Sequence, residues 1–190
     1  ELYGPWREAR ERTVAGNPGR FTVGFLGRVV AIKDVKTLLR AFALVVRRQP
    51  LARLLVAGPA DEDRTYFDDC VEFARRLGLG DSVHFTGKSL TLAEFLPQVD
   101  CVALSSVSEG LPFVVLEAFA AEIPVVSTDV GACRELVEGT SGDEAERAGF
   151  VVPVGDAEKL AGALLELAAD PARAAAFGRA GRRRVERGYT

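Results

Sequence analysis

Two short stretches of this sequence carry side chains suited to a ligand bearing both negative charge and hydroxyl groups. The first is Gly27-Arg28, with Lys33 five residues further on. A guanidinium forms paired hydrogen bonds to an oxyanion and an ammonium acts as a point charge, so two such cations can neutralise a diphosphate through side chains alone. Two solvated surface cations would look the same. The local sequence GRVVAIKD fits neither the GxGxxG turn of dinucleotide-binding domains nor the GxxxxGK[ST] phosphate loop. The second stretch is Ser108-Glu109-Gly110-Leu111-Pro112, followed by FVVLEAFAA. Pro112 at the first helical position would leave the amides of Gly110, Leu111 and Phe113 without intrahelical acceptors, an arrangement that binds anions. The helix after it is apolar nearly all round and therefore buried, so Glu117 is costly there unless something pairs with it. Ligand hydroxyls are one partner. The other is an internal ion pair, with Arg28 the obvious candidate, or a helix-dipole contact.

Glu109 and Glu117 do not read as an acid and base pair of the glycosidase kind. Eight residues at 1.5 Å rise put their backbones up to ~12 Å apart, whereas such carboxyl groups stand ~5 to 9.5 Å apart. Two separate tasks fit the spacing better.

The elements that must hold these residues follow from apolar runs bounded by glycine or proline. Phe21 to Leu26, Arg53 to Ala57, Ser82 to Thr86, Cys101 to Ser105, Pro124 to Thr128 and Phe150 to Val154 read as six strands. They lack polar alternation, as strands covered on both faces do. Helical spacing fills the gaps: Val35 to Val46, ended by Pro50; Phe67 to Leu77; about Thr91 to Leu96; Pro112 to Ala121; and about Arg134 to Val137. Asp156 to Ala169 and Pro171 to Glu186 read as two terminal helices. The order βαβα implies a doubly wound α/β fold, a Rossmann-like parallel sheet of about six strands whose ligands lie beyond the carboxyl ends of the strands. The loops carrying Arg28 and Lys33, Gly58, Gly87 and Lys88, Glu109, and Asp129 to Gly131 would then share one edge. Residues 1–20, with three glycines and two prolines, read as a linker, and 21–190 as one domain.

Composition removes several alternatives. A net charge of −3 leaves no electrostatic basis for nonspecific nucleic-acid binding. No apolar stretch reaches ~18 residues without a charge, so no integral membrane segment is expected. Cys70, Cys101 and Cys133, widely spaced and accompanied by one histidine, support neither a disulfide framework nor a zinc site; buried, reduced thiols in a cytoplasmic protein are expected. The chain has no methionine, even at its start, as expected of a piece of a longer protein. Asp61-Glu62-Asp63 has the D-x-D form of a metal and diphosphate site, yet an acidic loop capping a helix from Arg64 explains it better, so no metal and no cofactor are expected. His84 reads as a core or base-flanking residue. Arg182-Arg183-Arg184 reads as a solvated helix face, with peripheral membrane association the competing reading.

Taken in order, GR with a lysine five residues on, AGP, FTG, SSVSEGLPFVVLEAFA and PVVSTDVGACRELV resemble the C-terminal, donor-binding domain of retaining GT-B glycosyltransferases, family 4 of the glycosyltransferases. The resemblance runs from about Phe21 to the end, including GDAEKLAGALLELAADP, and Glu109 and Glu117 match its E-x7-E pair. IKDVKT and GPADEDRTYF are similar to the Pel-type exopolysaccharide glycosyltransferases, which use UDP-glucose. By this resemblance the chain is one half of a GT-B fold, completed by an N-terminal acceptor domain. Arg28 and Lys33 would hold the donor diphosphate, Glu109 the transferred sugar and Glu117 the ribose hydroxyls. The base would lie against Gly87, Lys88 and Ser89, mostly through backbone, and Gly27, Ser108, Gly110, Leu111 and Pro112 would complete the donor site. Two residues depart from the family: Asp34 stands where glycine usually follows the lysine, and Glu122 where glycine usually precedes Ile-Pro.

The function expected is the donor-binding half of a hexosyltransferase, inactive as an isolated fragment. A nucleotide-sugar epimerase on the same fold and a non-catalytic nucleotide-sugar binding module are the alternatives. Two carboxylates favour the enzyme over the module, since sensing needs no sugar-positioning carboxylate.

Overall fold

The computed structural model of the chain describes residues 20–139 and 146–189. The linker expected over 1–20 lies outside them, apart from Arg20. Six strands, β1 (Thr22–Leu26), β2 (Arg53–Ala57), β3 (Val83–Phe85), β4 (Cys101–Leu104), β5 (Val125–Thr128) and β6 (Gly149–Val152), pair in the order β3-β2-β1-β4-β5-β6. Every neighbouring pair is parallel. The helices are α1 (Val35–Arg48), α2 (Arg64–Arg76), α3 (Leu92–Phe95), α4 (Phe113–Ala120), α5 (Cys133–Glu138), α6 (Ala157–Ala169) and α7 (Pro171–Gly188).

The strands lack a polar face because helices cover both sides of the sheet. In β2, Leu54 and Val56 enter one core while Leu55 and Ala57 enter the other; in β4, Cys101 and Ala103 divide from Val102 and Leu104 in the same way. The first core is closed by α1, α2 and α6, the second by α3, α4 and α5, with α7 contributing Phe177 to one and Ala180 to the other. All three cysteines are buried thiols. Burial pushes the Cys70 thiol up to about 11. His84 is exposed on the edge strand β3, which corrects the expectation of core packing.

With all strands parallel, the loops that follow them share the carboxyl edge, and the strand order reverses between β1 and β4. That switch point is where an open α/β sheet leaves a crevice for ligands. The loops that carry Lys33 and Glu109 leave the two strands flanking it.

Asp34 and Glu122, the two departures from glycine, are the two non-glycine residues with positive φ among the described residues, at 42° and 57°. Both turns form despite the side chain. Asp34 caps α1, its carboxylate accepting from the Thr37 amide at 3.2 Å. Glu122 closes α4: its amide donates to the Phe119 carbonyl and the Ile123 amide to that of Ala118, each at 2.9 Å, a Schellman pair of bonds that calls for a left-handed residue at this position.

Candidate donor site at the carboxyl edge

The ends of β1 and β2 approach closely. A side chain at Gly58 would bring its Cβ to 2.0 Å from the Gly27 carbonyl oxygen, and the Gly27 amide donates to Ala57 O at 3.0 Å. From this fixed point the chain passes Arg28, buries Val29, and makes a 3-10 turn over Ala31–Lys33. Lys33 Nζ reaches Glu109 Oε1 at 2.6 Å, and the two side chains are 22% and 11% exposed. Ser106 Oγ donates to the same carboxylate oxygen at 2.6 Å. Ser105 Oγ donates to the Lys33 carbonyl at 2.9 Å, and the Val107 amide to Ile32 O at 2.9 Å. The loops after β1 and β4 are therefore joined by backbone and side-chain bonds across the switch point.

The loop after β5 supports this arrangement from behind. Gly131, at φ +51°, lies so close that a Cβ would stand 2.2 Å from Glu109 O and 2.5 Å from Gly110 O. The Ala132 amide donates to the Gly110 carbonyl at 3.0 Å.

Pro112 is the N-cap of α4, with φ −77° and ψ 101°, and the helix opens on Phe113. This corrects the expected first helical position by one residue: Pro112 keeps an extended ψ, so its own carbonyl begins the helix and receives the Val115 amide at 3.0 Å. Among the described residues, the amides of Gly110, Leu111, Phe113 and Val114 have no acceptor. Such groups, at the positive end of a helix, favour an anion. Phe113 itself is 69% exposed, so the helix is open at this end and not buried all round.

Glu117 is half-buried on α4 and its carboxylate has no partner among the described residues. Burial raises its pKa above the ordinary carboxylate value. The internal pair with Arg28, the alternative to ligand contact, does not form among the described residues. Arg28 instead meets Glu62 at 3.3 Å, with side chains 59% and 43% exposed. Sequence reading offered no signal for this pair, since the partners lie 34 residues apart. Asp63 caps α2 by accepting from the Tyr66 amide at 3.0 Å, as expected of the acidic loop.

At the loop after β3, Gly87 has φ +65° and its carbonyl accepts from the Ala60 amide at 3.1 Å. Thr86 Oγ donates to Lys88 O at 2.6 Å. Lys88 and Ser89 are exposed. Ser108 is exposed and has no hydrogen-bond partner among the described residues. The geometry thus brings Lys33, Glu109 and the start of α4 together and sets Arg28, Glu117 and the Gly87–Ser89 loop on elements of the same sheet edge.

The pattern of the glycosyl transferases group 1 matches residues 20–170. The chain belongs to this family. It is 33% identical over 174 residues to a D-inositol 3-phosphate glycosyltransferase of Rhodococcus erythropolis, a match covering 89% of this chain and 38% of that protein. Its fold superposes on sucrose-phosphate synthase of Thermosynechococcus elongatus with a TM-score of 0.79 and 28% identity, over 95% of this chain and 44% of that one. It superposes on Anabaena HepE, solved in complex with UDP-glucose, with a TM-score of 0.82 and 25% identity, over 98% of this chain and 50% of that one. The chain therefore spans half or less of the length of these relatives, and its fold is that of a Rossmann-like domain of GT-B glycosyltransferases. Among the described residues, no helix is long and apolar enough to cross a membrane, and no group of three or more His, Cys, Asp or Glu is gathered as a metal site would need.

Proposed function

We propose that this chain is the donor-binding half of a retaining glycosyltransferase that uses a UDP-sugar, with glucose as the sugar and an exopolysaccharide or other glycan as acceptor. The observation that carries the reading is the contact of Lys33 with Glu109 beside the unpaired amides that open α4. A cation suited to a diphosphate beside a carboxylate suited to sugar hydroxyls supports the reading. The UDP-glucose bound by HepE and the Pel-type resemblance of IKDVKT and GPADEDRTYF support UDP-glucose as donor. The acceptor would be held by an N-terminal domain joined to this chain, so the chain alone would bind donor without transferring sugar.

In the reaction, the bond from the anomeric carbon to the diphosphate breaks, the acceptor oxygen bonds that carbon, and the acceptor's proton leaves with the diphosphate. Arg28, Lys33 and the amides of Gly110, Leu111 and Phe113 would stabilise the charge that develops on the leaving phosphate. Gly27 lets the backbone come close, and Glu109 would orient the sugar. Glu117 would accept the ribose hydroxyls, with the base lying against Gly87, Lys88 and Ser89. Ser108, Leu111 and Pro112 would line the sugar and phosphate path. On this reading the side chains and amides would provide the positive charge themselves, with no metal or cofactor required.

Calorimetric titration of UDP and uridine tests the reading. Arg28→Ala and Lys33→Ala should each weaken UDP by roughly 10- to 150-fold, the equivalent of a lost hydrogen bond to a charged group, and leave uridine nearly unchanged. EDTA should leave UDP binding intact. If EDTA abolished binding while both alanine variants bound normally, the acidic loop acting through a metal would replace this site.

A further inference from the structure

Ser105 and Ser106 directly follow β4, and both are fully buried. A buried hydroxyl is retained at a cost unless it is bonded, and these two are bonded to the two halves of the ion pair. Ser105 Oγ fixes the carbonyl of Lys33, and Ser106 Oγ fixes the carboxylate of Glu109. Ser106 is itself held from β5, where the buried Thr128 hydroxyl donates to its carbonyl at 2.7 Å.

We propose that Ser105 and Ser106 are positioning residues that set the Lys33–Glu109 pair for the donor; the role rests on the donor-site reading above. Glu109 Oε1 receives both Lys33 and Ser106, each at 2.6 Å, while Oε2 has no partner among the described residues. One oxygen is clamped and the other is left to accept a sugar hydroxyl. Lys33 in turn has two ammonium hydrogens to spare for phosphate. Without the Ser106 hydroxyl, Lys33 alone would hold Glu109, and the same cation would have to serve phosphate and carboxylate without a fixed geometry between them.

Two measurements on the 190-residue chain test this. The first needs no ligand: the proton–nitrogen NMR signal of the Lys33 ammonium, whose exchange is slowed by its pairing. It should be lost or broadened in Ser106→Ala and Ser105→Ala and kept in Ser127→Ala, a control that removes another fully buried hydroxyl, bonded to the Thr128 carbonyl and to Cys133 and to neither member of the ion pair. The second is the affinity for UDP-glucose relative to UDP. Ser106→Ala should lower that ratio by about tenfold, with UDP itself within about twofold, and should have no further effect on a Glu109→Gln background. A general structural weakening would move both ligands and both backgrounds. If Ser106→Ala kept the ammonium signal and the ratio while Glu109→Gln lost them, the positioning role would be overturned and the donor site would stand. If the unsubstituted chain bound neither UDP nor UDP-glucose, the donor-site reading would fall and the role assigned to the two serines with it.

Discussion

Glu117→Gln separates a ligand-binding carboxylate from a structural one. The side chain is half-buried, its carboxylate has no partner among the described residues, and burial alone raises its pKa. The free chain therefore gains nothing from the charge at neutral pH. A carboxylate whose folded pKa lies above its unfolded value adds stability below the unfolded value and loses it as pH rises through the folded one. Glutamine, near in size and uncharged, should leave the melting temperature at pH 7 unchanged or slightly higher. Ligand binding should respond in the opposite way. If the carboxylate accepts ribose hydroxyls, its loss should cost about 1.5 to 3 kcal/mol, a 10- to 150-fold rise in the Kd for UDP. The charged form is the acceptor, so UDP affinity should fall on acidification at a higher pH than for an exposed glutamate, and this inflection should vanish in Glu117→Gln. Differential scanning calorimetry and titration calorimetry across pH 4 to 8 or so give both quantities. Unchanged UDP affinity in a folded Glu117→Gln chain would refute the ribose assignment, and a clear drop in melting temperature would show that the charge is structural after all.

Three further substitutions have expected outcomes. Glu122→Gly relieves a left-handed residue at the end of α4 and should stabilise the chain by about 1 kcal/mol, or ~2–4 °C in melting temperature; a lower melting temperature would show that the Glu122 side chain contributes more than its backbone costs. Gly131→Ala drives a Cβ into the Glu109 and Gly110 carbonyls, whereas Gly155→Ala also falls at a positive φ but meets nothing within 4 Å; the first should weaken UDP-glucose far more than the second in parallel titrations. Glu62→Gln frees Arg28 from an exposed pair and should tighten UDP by less than about fivefold at low salt, the advantage fading as salt screens it.

The sheet was legible because its strands are short Val, Leu and Phe runs closed by glycine or proline, and because both faces are covered, which removes polar alternation. The carboxyl-edge placement of Arg28, Lys33, Gly87 and Glu109 then followed from parallel connections alone. What the sequence concealed was pairing. Lys33 and Glu109 are 76 residues apart, and their contact depends on how two loops leave neighbouring strands. Arg28 pointed toward Glu117 by charge and burial, yet the loop after β2 brings Glu62 to it first. Ser105 and Ser106 open the motif SSVSEGLPFVVLEAFA, but serine is common in loops and only burial shows that their hydroxyls are used. Asp34 and Glu122 were conspicuous for replacing glycine, and the backbone explains both: each occupies the left-handed conformation that glycine adopts at least cost.

The central claim, that a UDP-sugar binds at the carboxyl edge across the β1–β4 switch point, is tested most directly by amide chemical shifts. Titrating UDP-glucose into the isotopically labelled chain should move the amides of Gly27, Arg28, Lys33, Gly110, Leu111 and Phe113, together with those of the Gly87–Ser89 loop, saturating with one binding constant. A cavity of about 250 Å3 lies apart from these residues, between α5 and α7, lined by Glu135, Arg183, Arg184 and Arg187 among others. Shifts confined to that cavity, or none at saturating UDP-glucose, would contradict the account.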